Sequence, residues 1–361
     1  MQPGLRIAYV INSVEGGGAA FPVPRICAVL RDNGAEVRIL ALTRRDGRAA
    51  GPIEAAGFEL RVRPGGRGDH LAALRWLDAE IADLRPTHLW TSLSRATLLG
   101  QLVGLRRGLP VVSWQHAAWL RPANRLLLRA TRRLSTLWIA DSQQVFELTH
   151  VRLGVPYERL VCWPIFAADP DAPRAAPWRP GEVVRVGSLG RLHPVKGYDL
   201  LIEALARLAD GATPFEVVIG GDGEQRAALQ SLATVRGVRN LRFAGFVEDT
   251  RGFLAGLHLY VQPSRSEGFC VGAHEAMAAG VPVLASSVGE LPHSIIPGAT
   301  GALVPPGDPV ALAAALAGLL GRPEHLAAMG EAGRTRVLER ASAAAFADTG
   351  AAIVARLRGA G

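Results

Sequence analysis

Residues 259–286 read LYVQPSRSEGFCVGAHEAMAAGVPVLAS. The apolar run from Leu257 to Pro263 predicts a buried strand, and Val281 to Ala285 predicts another. Between them a tight loop leads into a helix expected over Phe269–Ala279. Gly280 suits the C-cap of that helix, and Pro282 bars its continuation. Doubly wound sheets take their ligands at the carboxyl ends of strands, which is where Ser264-Arg265-Ser266-Glu267-Gly268 falls. A helix start behind that loop offers unpaired amide N–H groups and the positive end of a dipole, a combination that favours phosphate.

Glu267 and Glu275 are the only carboxylates of the stretch. At a rise of 1.5 Å per residue they stand about 9–12 Å apart along the helix axis. A retaining hydrolase pair stands about 5 Å apart, so the spacing argues against joint acid/base work. It suits gripping the hydroxyls at two ends of an extended ligand around a diphosphate. The plain alternative is a solvated loop glutamate plus a helix-face glutamate; Gly268, the small residues Ala276, Ala278 and Ala279, and the GVPV that follows weigh against it.

This stretch resembles the E-x7-E signature of retaining, GT-B-fold glycosyltransferases of family four, the group 1 glycosyl transferases. The resemblance implies an α/β chain of the GT-B fold, two Rossmann-like doubly wound domains facing a cleft. It also implies that Glu275 holds ribose hydroxyls and Glu267 sugar hydroxyls, with backbone at Gly268, Phe269 and Cys270 completing the donor site. Cys270, Gly272, His274 and Glu290 depart from the family's commoner residues and bear on which sugar is carried.

The chain has 361 residues, natural for two domains, and 49% hydrophobic content, as expected of a globular α/β protein. Cys27, Cys162 and Cys270 show no metal-ligand or C-x-x-C spacing, so a reducing compartment is expected. Met1 to Val10 passes into a short strand rather than a signal sequence, and no apolar run reaches membrane-spanning length. The expectation is a cytoplasmic protein, soluble or peripheral at the inner face of the cell membrane. The net charge of +8 is unevenly placed: residues 1–165 carry 22 arginines against 13 acids, and residues 166–361 carry 18 basic and 19 acidic groups. The first half therefore expects an anionic partner: a membrane surface, a phosphorylated acceptor or nucleic acid. Only one of the 40 basic residues is a lysine, Lys196. A compact point charge beside a phosphate is a physical reason for that choice.

Strands are expected at Leu5–Ile11, Glu36–Leu42, Phe58–Val62, His88–Ser92, Val111–Gln115 and Leu137–Ala140. The first feeds Gly16-Gly17-Gly18, where backbone can approach a ligand closely, although no G-x-G-x-x-G fingerprint is present. Pro22 and Pro24 push the first helix to start near Pro24. Helices Leu71–Leu84 and Thr97–Arg107 follow. By resemblance, Gly16 and Gly17 face the donor diphosphate, and His116, at a strand's carboxyl end, lies near the transferred sugar.

Arg125, Arg129, Arg132 and Arg133 recur at helical spacing beside Leu126 to Leu128. The face is either a solvated arginine stripe or a docking surface for anionic lipid or acceptor. No recognition motif or aromatic interleaving supports nucleic acid. Ala167 to Gly181, rich in Pro and Ala, reads as a linker. The expected domains are 1–165 for the acceptor, a linker at 166–182, 183–342 for the nucleotide sugar, and a helix at 343–361 returning to the first domain.

The second half repeats the alternation, with strands at Val183–Leu189, Phe215–Ile219 and Leu241–Phe246, and helices Tyr198–Ala209, Ala311–Leu320, His325–Arg340 and Ala343–Arg358. Gly190-Arg191-Leu192-His193-Pro194-Val195-Lys196-Gly197 joins a strand to a helix, and two cations in such a loop can clamp one diphosphate from both sides. The segment resembles the family's G-R-x-x-x-x-K-G. That implies Arg191 and Lys196 on the leaving diphosphate, Gly221 and Gly223 at the nucleotide turn and Phe246 beside the base. The catalytic set is then Arg191, Lys196, Glu267 and His116, with no cofactor and no metal required. The partners expected are a nucleotide-diphosphate sugar, a glycan or glycolipid acceptor and an anionic membrane surface. A non-catalytic nucleotide-sugar sensor and another GT-B enzyme, such as a sugar-nucleotide epimerase, stay open.

Overall fold

A computed structural model describes residues 4–116, 120–208 and 213–359. Two all-parallel sheets organise them. The first contains β1 (Leu5–Ile11), β2 (Ala35–Ala41), β3 (Leu60–Val62), β4 (His88–Ser92), β5 (Val111–Gln115), β6 (Leu137–Ala140) and β7 (Leu160–Cys162), in the order β3-β2-β1-β4-β5-β6-β7. The second contains β8 (Val184–Leu189), β9 (Phe215–Gly220), β10 (Leu241–Gly245), β11 (Leu259–Gln262), β12 (Val283–Ser286) and β13 (Gly301–Val304), in the order β10-β9-β8-β11-β12-β13. Both are doubly wound. Their strand order reverses between β1 and β4 in one and between β8 and β11 in the other, and such switch points are where open α/β sheets bind ligands.

The strands are near-continuous apolar runs because helices cover both faces. In the first unit Trp90, Trp114 and Trp163 are fully buried and pack edge-on or stacked, with ring centroids 4.9–6.1 Å apart. The second unit buries Val186, Ile219, Leu259, Val261 and Leu284 around its sheet.

The compact units are 1–165 with 344–361, and 166–343. The helix Ala343–Gly359 seals the first unit: Trp163 Nε1 donates to Phe346 O at 3.0 Å, and a Cβ on Gly350 would lie 2.4 Å from Val29 Cγ1. The Pro/Ala-rich segment 166–182 is not a free tether. Ala168 N donates to Ala341 O at 2.7 Å, Ala175 N to Ala279 O at 2.8 Å, and buried Arg334 reaches Pro170 O, so it lies against the second unit.

Element ends differ from expectation for local reasons. β11 starts at Leu259 because Leu257 N closes a turn onto Leu254 O at 3.0 Å. The helix before β12 is shorter than expected, Val271–Ala278, and the left-handed Gly280 follows it at φ 75°. The helix from Tyr198 ends at Leu205, and its expected end, Ala209, lies outside the described residues. Among the described residues no helix is long and apolar enough to cross a membrane.

Candidate donor site and the first unit's strand ends

The loops after β8 and β11 flank the second sheet's switch point and are tied together. Gly197 has φ 68°, and a Cβ there would lie 2.0 Å from Pro263 O, so only glycine lets these two loops meet. Arg265 N donates to Val195 O at 2.8 Å, and its guanidinium grips Asp199 with two bonds of 2.7 and 2.6 Å. Lys196 Nζ thereby reaches Glu267 Oε1 at 2.8 Å.

Glu267 is held from three directions. Its Oε1 also accepts from Ser264 Oγ at 2.6 Å and Gln262 Nε2 at 3.1 Å, and Gln262 Oε1 accepts from Tyr260 OH at 2.9 Å. Three donors on one oxygen fix the carboxylate's orientation and leave Oε2 for a ligand hydroxyl. Burial alone would lower the Lys196 pKa; the Glu267 carboxylate outweighs it and holds the ammonium above its ordinary value. The Tyr260–Gln262–Ser264 relay was not foreseen. Its signal is the alternation along β11 and its continuation, which puts residues two apart on one side of the strand.

Behind this turn, Cys270 takes a left-handed conformation at φ 67°, rare for a residue with a Cβ, and starts the helix Val271–Ala278 without a side-chain cap. The first-turn amides of a helix have no intrahelical acceptors. Burial pushes the Cys270 thiol up, so it stays protonated and serves as packing. Phe269 is turned inward, stacked on His274 at 4.0 Å and on Phe166 at 5.8 Å, so only its backbone is offered to a ligand. His274 is buried and pushed down to about 4 by burial. It is neutral, placing Nδ1–H on Cys270 O at 2.9 Å and Nε2 beside Ser294 Oγ at 2.7 Å. Gly289 closes the far side: at φ 62° its Cβ would lie 2.3 Å from Gly268 O, which accepts from Glu290 N at 3.0 Å. Glu290 itself is buried against Arg340 at 3.2 Å.

Glu275 is half-buried, and burial pushes its carboxyl up to about 7, with Arg251 pulling it down. Gly190 and Gly221 allow a close crossing, since a Cβ on Gly221 would lie 2.0 Å from Gly190 O. A Cβ on Gly223 would similarly lie 2.4 Å from Leu192 O. Arg191 is exposed in the same loop as Lys196, and Phe246 is 43% exposed just after β10.

In the first unit His116 follows β5. Its Nε2 lies 2.8 Å from Ser92 Oγ and its Nδ1 3.3 Å from Asp141 Oδ2, and the ring stacks on Trp114 at 5.3 Å. The Asp141 approach is an ion-pair distance without hydrogen-bond alignment, since Nδ1 has no hydrogen-bond partner. Gly16 donates to Asp46 Oδ1 at 2.9 Å, and Gly17 is exposed. Arg125 and Arg129 lie exposed on the helix Pro122–Thr131 beside Leu126 and Leu127, 69% and 49% exposed. Arg133 is exposed in the following 3-10 turn. Arg132 does not share that face: its guanidinium bonds Gly154 O at 3.0 Å and Arg129 O at 2.6 Å, because the chain tightens into the 3-10 turn at Arg132. Among the described residues no His/Cys/Asp/Glu group could hold a metal ion.

Two doubly wound units, with a lysine–glutamate pair and a helix start at a switch point, define the chain as a GT-B protein. It belongs to the group 1 (family 4) glycosyltransferases: the family described as Glycosyl transferases group 1 matches residues 174–336, and Glycosyltransferase Family 4 matches 16–166. A GDP-mannose-dependent alpha-(1-6)-phosphatidylinositol monomannoside mannosyltransferase of Mycolicibacterium smegmatis is 35% identical over 53% of this chain and 52% of its own. A D-inositol 3-phosphate glycosyltransferase of Streptomyces scabiei is 35% identical over 50% of this chain and 38% of its own. The matched segments thus span about half or less of these relatives. Anabaena HepE, solved with UDP-glucose, shares the fold at TM-score 0.84 and 21% identity, covering 98% of this chain and 100% of its own.

Proposed function

We propose that the chain is a retaining glycosyltransferase that moves a sugar from a UDP- or GDP-linked donor to a hydroxyl of a glycan or glycolipid in lipopolysaccharide, capsule or exopolysaccharide assembly. The observation that carries this reading is the Lys196–Glu267 pair at the second switch point, with one carboxylate oxygen pinned and the other available. The donor diphosphate lies between Arg191, Lys196 and the start of the helix Val271–Ala278. Charge that builds on it as the glycosidic bond breaks is neutralised there. Glu267 Oε2 accepts from a sugar hydroxyl, and Glu275 accepts from the ribose hydroxyls. Lys196, Arg191 and the helix start supply the positive charge, so the step needs no metal. No carboxylate stands as nucleophile in this arrangement; the acceptor hydroxyl attacks from the leaving group's own face, passing its proton to the departing phosphate oxygen. His116, oriented by Ser92, contacts the transferred sugar.

Thermal shift with UDP, GDP and ADP tests the nucleotide site, since a ligand at 100 times its Kd adds about 2.7 kcal/mol. One of the three is expected to raise Tm clearly, and its sugar-linked form to release nucleotide when acceptor is supplied. Stabilisation without release would mark a sensor instead; no stabilisation by any of them would end the reading.

The proposal places the enzyme in the cytoplasm, peripheral at the inner membrane face, docked through Arg125, Arg129 and Arg133 with Leu126 and Leu127 entering the lipid. Replacing Leu126 and Leu127 together by serine should abolish co-sedimentation with anionic vesicles. Undiminished sedimentation would remove this helix from the membrane contact.

A further inference from the structure

The carboxyl edge of the first sheet carries a charge pattern that the donor site does not use. Four neighbouring strands, in the order β3, β2, β1, β4, end there. After β1 comes Glu15-Gly16-Gly17-Gly18, and after β2 Arg44-Arg45-Asp46-Gly47-Arg48. After β3 comes Arg63-Pro64-Gly65-Gly66-Arg67-Gly68-Asp69, and Arg95 lies in the first helical turn after β4. These loops form one surface. Gly16 N donates to Asp46 Oδ1 at 2.9 Å, Ala49 N to Val14 O at 3.0 Å, and Arg95 Nη1 to Gly66 O at 3.1 Å.

This edge has six arginines, Arg44, Arg45, Arg48, Arg63, Arg67 and Arg95, against the three carboxylates Glu15, Asp46 and Asp69. Glu15 pairs with Arg45, and Asp46 lies 3.8 Å from Arg48. Asp69 serves two guanidiniums, Arg63 at 2.6 Å and Arg95 at 3.1 Å, and Arg63 holds its pKa down at about 2. The Arg63 side chain is 5% exposed and that of Arg95 13%, and Arg95 Nε is buried without an acceptor. Two cations drawn out of water onto one carboxylate leave surplus charge that an anion would relieve. Arg44 and Arg67 are exposed, no carboxylate among the described residues pairs with either, and Arg67 stands among the exposed Gly65, Gly66 and Gly68. Arginine forks and glycine amides match an anion with several oxygens, and β1 and β4 flank this sheet's switch point.

We propose that this edge binds a phosphoryl group carried by the acceptor. The inference rests on the transferase reading, for which it names the acceptor's chemical class. The full chain is first saturated with whichever nucleoside diphosphate stabilises it most, which fills the loop of Arg191 and Lys196. Glycerol 1-phosphate, with glycerol as neutral control, is then titrated calorimetrically into the wild type and an Arg44→Ala/Arg67→Ala double variant. Co-sedimentation with phosphatidylcholine vesicles, with and without phosphatidylglycerol, is measured on both proteins. Saturable glycerol 1-phosphate binding that weakens about tenfold or more in the variant, without glycerol binding, supports a soluble phosphorylated acceptor. A variant deficit seen only on the phosphatidylglycerol vesicles supports the same site with a lipid headgroup as its phosphate source. Variant and wild type alike in both arms overturn the proposal. If no nucleotide stabilises the protein, the transferase reading falls, and the same comparison without nucleotide still decides whether this edge binds phosphate.

Discussion

Glu267→Ala is expected to lower kcat/KM for sugar transfer about 10²–10³-fold, while the affinity for free nucleoside diphosphate stays within about threefold. On the proposed reading the carboxylate faces the sugar rather than the phosphates, and a bound diphosphate takes over from Glu267 as the anion that keeps the buried Lys196 ammonium charged. Lys196→Ala should behave differently. It removes the compact charge from the diphosphate, so nucleotide affinity and turnover fall together, each by about tenfold or more. Both substitutions break the 2.8 Å pair. In Glu267→Ala, Ser264 and Gln262 also lose the acceptor they share, at about 1–3 kcal/mol of stability. Assays must therefore run well below each variant's Tm. Calorimetric nucleotide titration beside steady-state kinetics separates the two patterns. Turnover unaltered in Glu267→Ala would take that residue out of the site. A Lys196→Ala protein binding nucleotide like wild type would place the diphosphate elsewhere.

The parts of this site that could be read from sequence are those where residue type and spacing have one physical use. The single lysine in a strand-to-helix loop and the glutamate in the loop after β11 are of that kind, and the structure brings Lys196 and Glu267 together at 2.8 Å. Strand positions were legible because buried parallel strands are unbroken apolar runs, and β1, β4, β5 and β6 fall where the pattern put them. What orients Glu267 was not legible. Tyr260, Gln262 and Ser264 look like ordinary strand and loop residues, and their relay depends on Lys196 arriving from a loop 71 positions away. Arg132 shows the opposite failure. Helical spacing placed it with Arg125 and Arg129, but the helix tightens there and its guanidinium turns to backbone. Periodicity describes a helix only while the helix lasts. The surplus of arginine in the first half was visible as a count, whereas its gathering at four strand ends follows from the strand order β3-β2-β1-β4, which a linear reading does not contain.

Glu275→Gln is expected to stabilise the protein and impair it at once. Burial raises the folded-state pKa from 4.5 to about 7. Below the unfolded value both states hold the proton, and the glutamate has no pH-linked cost. Between about 4.5 and 7 the unfolded chain releases the proton while the folded one keeps it, so stability falls as pH rises; above about 7 the loss is complete. Glutamine has nothing to titrate. The variant's advantage in ΔG of unfolding should thus be near zero at pH 4.5, grow to about 3 kcal/mol by pH 7.5, and stay nearly level above that. Urea denaturation across this range measures it. His274, pushed down to about 4 from 6.5, adds its own pH dependence to both proteins as the unfolded imidazole titrates, and that contribution cancels in the difference between them. Function should move the other way. Ribose hydroxyls donate to an ionised carboxylate more strongly than to an amide oxygen, so at pH 8 the variant should bind the donor about tenfold more weakly. Wild-type affinity should decline below pH 7 as Glu275 takes up its proton, and the variant's should not. The donor sugar nucleotide is the right probe, because its diphosphate diester does not titrate in this range, whereas a free diphosphate does. Equal affinities at pH 8, or a wild-type profile as flat as the variant's, would remove Glu275 from the ribose and leave its buried carboxyl a purely structural liability.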